Sequence, residues 1–250
     1  MERNENKNLM VFGIRPILEA IAAGKEIDKI FIQNALHGEH IGELKKMIAK
    51  YSIPFQYVPV EKLNRLTLKN HQGLVAYLSS ITYYSVEDIL PPIFEEGKTP
   101  LLLILDRITD VRNFGAIARN AECSGVNAII IPSRGAAQIN SDAMKTSAGA
   151  LHKVPVCRVE NLKTTIDFLK NSGLQIIACS EKAENYYYDL DLSLPTAIIM
   201  GSEEDGISSE YLKRADFKVK IPVLGEIASL NVSVASGIML YEVIRQRRER

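Results

Sequence analysis

Short apolar runs alternate with stretches of helical period along most of this chain. The apolar runs predict strands at Lys29–Gln33, Phe55–Pro59, Leu74–Leu78, Leu101–Asp106, Ala128–Pro132, Val154–Val159, Leu174–Ser180, Ala197–Met200 and Phe217–Ile221. The helical stretches between them include Arg15–Ala23, Ile41–Tyr51, Asn113–Ser124, Leu162–Asn171 and Val232–Arg248. Strand alternating with helix predicts an α/β chain with mainly parallel sheets. Leu101–Asp106 and Ala128–Pro132 are apolar on both faces, as strands covered by helices on both sides are. The pattern breaks between Tyr83 and Pro100, which holds Pro91-Pro92, Glu95-Glu96-Gly97 and Pro100. Two consecutive prolines suit neither a central strand nor a helix interior. The chain therefore divides into a small α/β domain over 9–80, a linker over 81–98 with room for one short helix, and a larger α/β domain over 99–250.

Composition narrows the classes. The 250 residues suffice for one large domain or two ordinary ones, and 46% apolar with 24% charged residues is a globular balance. Lysine plus arginine equals aspartate plus glutamate at 30 each, so any nucleic acid must be held by local patches rather than by overall charge. Such patches exist: Lys25, Lys29, Lys45, Lys46, Lys62, Arg65 and Lys69 crowd the first domain, and Arg245–Arg250 reads as a basic tail. Runs of charge are usually ordinary solvated faces. Cys123, Cys157 and Cys179 are scattered, and His37 and His40 have no second metal-spaced pair nearby, so neither a disulfide framework nor a metal site is expected. The N-terminal stretch MERNENKNLM is charged and polar, and no apolar run approaches the roughly 20 residues that span a bilayer. The expectation is a soluble cytoplasmic protein with no membrane partner.

The familiar ligand loops of α/β proteins are missing. There is no G-x-G-x-x-G, no G-x-x-x-x-G-K-[ST], no G-x-S-x-G and no H-E-x-x-H. Three other segments follow predicted strands, where parallel sheets gather ligands. In Asp106–Glu122, DRITDVRNFGAIARNAE, Asp110 or Asn113 can cap a helix, Gly115 permits close approach, and Arg119 lies six residues beyond Asn113. An arginine fork fits anionic oxygens, although one among alanines is often a plain surface charge. In Ile198–Ile207, IIMGSEEDGI, Gly201 and Gly206 allow tight turns around acidic residues. An acidic helix entry would look the same. In Lys220–Gly237, KIPVLGEIASLNVSVASG, small polar residues open the last helix, for a ligand or for tight helix packing.

In this order the three segments resemble the motifs of the SpoU/TrmH family of RNA ribose 2'-O-methyltransferases, of the SPOUT superfamily. The first motif is Asp110-Val111-Arg112-Asn113-Phe114-Gly115 with Arg119, valine standing where the family has proline. The second is Gly201-Ser202-Glu203-Glu204-Asp205-Gly206, and the third is Ile221-Pro222 with Ser229-Leu230-Asn231-Val232-Ser233-Val234-Ala235. Phe12–Ser79, ending in His71-Gln72-Gly73, resembles the ribosomal-protein-like RNA-binding module that precedes many such enzymes. Across both domains the chain looks most like the RlmB subgroup, which methylates a guanosine of 23S ribosomal RNA.

The resemblance implies a SPOUT domain with a deep trefoil knot, a rare feature among folds, with ASLNVSVASG at the crossing. It implies S-adenosylmethionine as methyl donor, held by main-chain groups at Gly201, Ile221 and Leu230 near the Cys179-Ser180 turn. It implies Asn113, Arg119, Glu203, Ser229 and Asn231 as the polar catalytic set, with no metal. Glu203 would orient Asn113 or its loop. Arg119 would act on the 2'-hydroxyl, either by orienting it beside an RNA phosphate or by stabilising the alkoxide. It implies a homodimer with the site at the seam. Two alternatives stand beside the 23S reading: a transfer RNA or another ribosomal site as substrate, and an RNA-binding assembly factor without activity.

Overall fold

The computed structural model describes residues 10–248, in two units that meet in sequence between Thr82 and Tyr83. The first unit contains β1 (Met10–Phe12), α1 (Ile14–Ala22), β2 (Ile27–Gln33), α2 (Glu39–Lys50), β3 (Phe55–Val58), α3 (Val60–Leu66) and β4 (Leu74–Leu78). Its sheet runs β1-β4-β2-β3, antiparallel except for β2 with β3. Alternation along β2 and β4 explains its layers. Ile30, Ile32, Leu74 and Ala76 join the core made with α1 and α2, whereas Phe31 and Val75 face Leu63 of α3. His71-Gln72-Gly73 is a structural turn. His71 Nδ1 accepts from the Gly73 amide at 3.0 Å, and a Cβ on Gly73 would stand 2.9 Å from Leu36, at a φ of +79°.

The second unit contains β5 (Tyr83–Tyr84), α4 (Val86–Glu95), β6 (Leu101–Asp106), α5 (Val111–Cys123), β7 (Ala128–Pro132), α6 (Ser141–Thr146), β8 (Val156–Val159) and α7 (Leu162–Asn171). It continues with β9 (Gln175–Cys179), β10 (Asn185–Tyr186), β11 (Thr196–Gly201), α8 (Ser209–Arg214), β12 (Phe217–Lys220) and α9 (Val232–Arg248). The segment Ile139–Ser141 is assigned to the first unit, and the rest of 83–248 to the second. Every strand pair in this sheet is parallel, in the order β10-β12-β9-β11-β6-β7-β8-β5. All six residues of β6 are buried, as the two-sided apolar pattern predicts. The chain steps outward from β6 to β7 and β8, then crosses to β9 and inserts β11 between β9 and β6. That reversal brings the carboxyl ends of β6, β11, β9 and β12 together: Asp106 pairs with Gly201, Met200 with Cys179, and Cys179 with Val219. Parallel sheets bind ligands at such a switch point.

Two sequence expectations need correction. Segment 81–98 is not only a connection, because Tyr83 and Tyr84 pair with Val156 and Cys157 as the sheet's edge strand. Pro91 and Pro92 do lie inside a helix, α4. The carbonyls they leave unpaired belong to exposed Glu87 and Asp88, where water can serve them, while Val86, Leu90 and Ile93 form one buried stripe.

The Arg245–Arg250 tail is also less free than its composition implies. Arg247 donates to the carbonyls of Thr99, Pro100 and Leu194 at 2.8–2.9 Å. Arg245 donates to buried Glu242 at 2.6 and 2.9 Å. Glu249 and Arg250 lie outside the described residues. The Arg245 hydrogen bonds hold the Glu242 carboxyl below its usual range, with Gln246 helping against desolvation. A depressed carboxylate contributes stability that is present above the unfolded pKa and lost as pH falls through the folded value. Glu242→Gln should therefore flatten the decline of Tm between about pH 5 and pH 3. Parallel Tm curves for the two proteins over that window would disprove the contribution.

Candidate active site

The site grows from the ends of three strands. At the end of β6, buried Asp106 accepts from the Ser208 amide and hydroxyl, each at 2.7 Å. Arg107, held at a φ of +58°, donates to Asp106, to Asp205 at 2.9 Å and to the Gly206 carbonyl at 3.0 Å. These bonds clamp the loop after β11, which is also closed by the Gly206 amide on the Ser202 carbonyl at 3.0 Å. Gly201 has no room for a side chain, since a Cβ there would lie 2.2 Å from the Gly206 carbonyl carbon.

The loop presents Glu203 to the other two motifs. Asp110 caps α5 by accepting from the Asn113 amide at 2.7 Å. Val111 occupies the first helical position, where proline is preorganised, so its substitution leaves the cap intact. Asn113 Nδ2 then donates to Glu203 Oε1 at 3.0 Å. Asn231 Nδ2 donates to the same oxygen at 2.7 Å and to Asn113 Oδ1 at 3.0 Å. Asn231 Oδ1 in turn accepts from the Ser233 amide and hydroxyl at the start of α9. One carboxylate oxygen thus ties together the three sequence motifs.

The small residues of ASLNVSVASG have a visible packing role. The first turns of α9 lie on α5, where Asn120 Nδ2 donates to the Ser233 carbonyl at 2.8 Å. A Cβ on Gly237 would stand 3.2 Å from that same nitrogen, and Ser236 is fully buried.

Two clefts flank the Ser202–Asp205 loop and share it. The first is lined by Cys179, Glu181, Lys182, Met200, Gly201, Ile221, Ser229, Leu230, Val232 and Ala235, together with the loop. Four of the five expected cofactor positions, Cys179, Gly201, Ile221 and Leu230, therefore line one cavity. Ser180 does not. It is buried, its amide donating to the Val219 carbonyl at 2.8 Å. The second cleft is lined by Arg107–Asp110, Asn113, Gly135, the loop and Val232. Of the expected catalytic set, Asn113, Glu203 and Asn231 are bonded together and Ser229 lines the first cleft. Arg119 stands apart, exposed on α5, lining neither cleft, its side chain without a hydrogen bond or ion pair among the described residues. The family motifs do not include the Asp106–Arg107 clamp; its one signal in the sequence is a charged residue closing an otherwise apolar strand.

Burial pushes the Cys179 thiol up to about 12, with Glu181 adding to the effect, so it is not a thiolate nucleophile near neutral pH. Among the described residues no group of three potential metal ligands occurs, and no helix is long and apolar enough to cross a membrane.

The model of the SpoU rRNA methylase family matches residues 100–241, and that of the RNA 2'-O ribose methyltransferase substrate-binding domain matches residues 10–84. A TrmH family tRNA/rRNA methyltransferase of Staphylococcus saprophyticus is 35% identical over 96% of this chain and 97% of its own length. A counterpart in Bacillus subtilis is 32% identical over 95% of each. Among solved structures, the A. aeolicus TrmH/SpoU tRNA modifying enzyme is 34% identical over 61% of this chain and 77% of its own, with a TM-score of 0.57. The SpoU methyltransferase AviRb from Streptomyces viridochromogenes, in complex with AdoMet, shares the fold over 100% of this chain and 95% of its own, at 23% identity and a TM-score of 0.63. The fold and site thus define an RNA methyltransferase of the SPOUT class. The chain belongs to the SpoU/TrmH family.

Proposed function

We propose that this chain transfers the methyl group of S-adenosylmethionine to the ribose 2'-hydroxyl of one guanosine in 23S ribosomal RNA, as a cytoplasmic homodimer of the RlmB type. The observation that carries this reading is Glu203, bonded to Asn113 and Asn231 on the loop between the two clefts.

The first cleft suits the cofactor. Met200, Ile221, Val223 and Leu230 offer an apolar seat for adenine, and Glu203, Glu204 and Asp205 supply negative charge toward a cationic sulfonium. S-adenosylmethionine supplies an activated methyl group when bound there. The second cleft receives the target ribose. Asn113, Glu203 and Asn231 fix the wall between the two, and alignment of this kind is worth roughly 7–11 kcal/mol in favourable reactions. The Arg119 guanidinium stabilises the 2'-oxygen as it gathers charge.

Arg119 reaches the chemistry from the second subunit. What supports a dimer is the apolar stripe along α9, where exposed Val234 and Tyr241 flank half-buried Ile238, together with exposed Leu224 and Ile227 in the preceding loop. Threading of the C-terminal segment into a trefoil knot belongs to the same reading, supported by the side-chain-free approach of α9 to α5 at Gly237. Residues 9–80 serve as the RNA-binding domain and 99–250 as the methyltransferase.

Leu230→Trp should fill the first cleft and lower affinity for S-adenosylmethionine at least tenfold, with little change in Tm because Leu230 is exposed. Unchanged affinity by calorimetry would move the cofactor elsewhere. The function itself is tested by mapping ribose methylation in RNA from cells with and without the gene. Loss of one methylated guanosine in 23S RNA is the expected result. A lost site in transfer RNA keeps the chemistry and overturns the substrate.

A further inference from the structure

The sequence runs Tyr186-Tyr187-Tyr188 directly after the loop that leaves β9. A run of three aromatic residues beginning on a two-residue edge strand does no core work here. Tyr186 and Tyr188 are exposed, and Tyr187 is half-buried. The rings are nevertheless ordered against each other. Tyr186 and Tyr188 stack at 5.3 Å with an interplanar angle of 13°, and Tyr187 meets Tyr188 edge-on at 5.1 Å. Lys220 Nζ lies 5.2 Å from the centre of the Tyr186 ring.

The position of this group is set by strand register. Tyr186 pairs with Lys220, the last residue of β12, and the next residue, Ile221, lines the first cleft. On the other side, Glu181 and Lys182 line that cleft just before the chain enters β10. The tyrosines therefore stand on the same carboxyl rim as the cofactor cleft, one strand to the side of it. In sequence the run is bordered by Glu184 and Asp189 as well as by Lys182, so the lysines here do not stand alone. Phosphate attraction is not what this surface offers; flat aromatic faces are.

We propose that Tyr186, Tyr187 and Tyr188 form a stacking platform for an unpaired base of the RNA, beside the nucleotide being methylated. The proposal rests on the ribose-methylation reading for its ligand. Single-stranded RNA is recognised by stacking splayed bases on aromatic side chains, and a ribose whose 2'-hydroxyl must reach the cofactor sits in such a splayed segment. An ordered stack loses little freedom when a base is added to it. A protein surface on the same rim would compete with the RNA that the active site has to admit.

The chain contains no tryptophan, so Tyr188→Trp introduces a single reporter. A mixed-sequence RNA of about 20 nucleotides, longer than most single-strand sites, should quench its emission, and S-adenosylmethionine alone should not. In methyl transfer to unmodified total RNA, Tyr188→Ala should raise KM for RNA about tenfold, leaving kcat and cofactor affinity unchanged. Tyr188→Phe should restore the wild-type KM. The slope of log affinity against log salt should stay the same in all three, because a stacked base releases no counterions. Unquenched emission together with an unchanged KM overturns the platform. So does emission that shifts with protein concentration and ignores RNA, which would assign the tyrosines to a contact between copies. If the wild-type protein methylates no RNA, the ribose-methylation reading fails separately, and the quenching measurement still decides whether a base stacks here.

Discussion

Gly201→Ala should lower Tm by roughly 6–12 °C and remove most of the affinity for S-adenosylmethionine. The added Cβ would lie 2.2 Å from the Gly206 carbonyl carbon and 2.3 Å from the Ile207 nitrogen. Both are backbone atoms, which cannot swing aside as a side-chain tip can. Nor can the loop retreat easily, because Arg107 holds Asp205 and the Gly206 carbonyl from a base fixed on buried Asp106. Overpacking of this kind costs about 3 kcal/mol, and a chain of this size loses roughly 2–4 °C per kcal/mol. The displaced loop carries Glu203 away from Asn113 and Asn231, so binding falls along with stability. Gly225→Ala is the control, since a Cβ there meets nothing within 4 Å. Equal Tm and equal cofactor affinity in the two variants would show that the loop is not under this constraint.

Arg119→Ala should reduce kcat by roughly 10²–10³ and leave both Tm and cofactor affinity where they are. The expected split follows from its surroundings. The Arg119 side chain is exposed and bonded to nothing among the described residues, so the fold does not depend on it, and it lines neither cleft. Mixing Arg119→Ala subunits with Glu203→Ala subunits separates two arrangements. If the arginine acts across the seam, a mixed dimer contains one wholly intact site and activity returns. If each chain uses its own arginine, every site in the mixture lacks one group and activity stays lost. Normal turnover in Arg119→Ala alone would remove the residue from the mechanism.

Apolar patterning along the chain was enough to locate the strands that matter. The Leu101–Asp106 and Ala128–Pro132 runs are strands at those bounds, since runs this short that are apolar on both faces suit a sheet covered on both sides better than a helix. The last helix likewise spans Val232–Arg248 as its period predicts. What patterning could not show was the edge of the sheet. β5 and β10 are two-residue strands whose existence depends on a neighbour, Val156 or Val219, far along the chain. The double proline misled for the opposite reason. A local backbone cost was outweighed by burial of Val86 and Leu90 against a core that local sequence does not contain.

The site divides in the same way. Asn113, Glu203 and Asn231 each belong to a motif that can be read one at a time, as can the glycine that must precede Glu203. Their convergence on a single carboxylate oxygen is a tertiary fact, created by the insertion of β11 beside β6 and by the packing of α9 on α5. The Asp106–Arg107 clamp depends on hydrogen bonds between residues about a hundred positions apart, and on a backbone angle that no residue type announces. The residue types of the family motifs were determined by the sequence alone, because chemistry at a strand end needs particular side chains and particular gaps. Which of them touch, and that Arg119 stands apart from the rest, was decided only by the tertiary structure, because long-range packing sets the distance between groups that the chain keeps far apart.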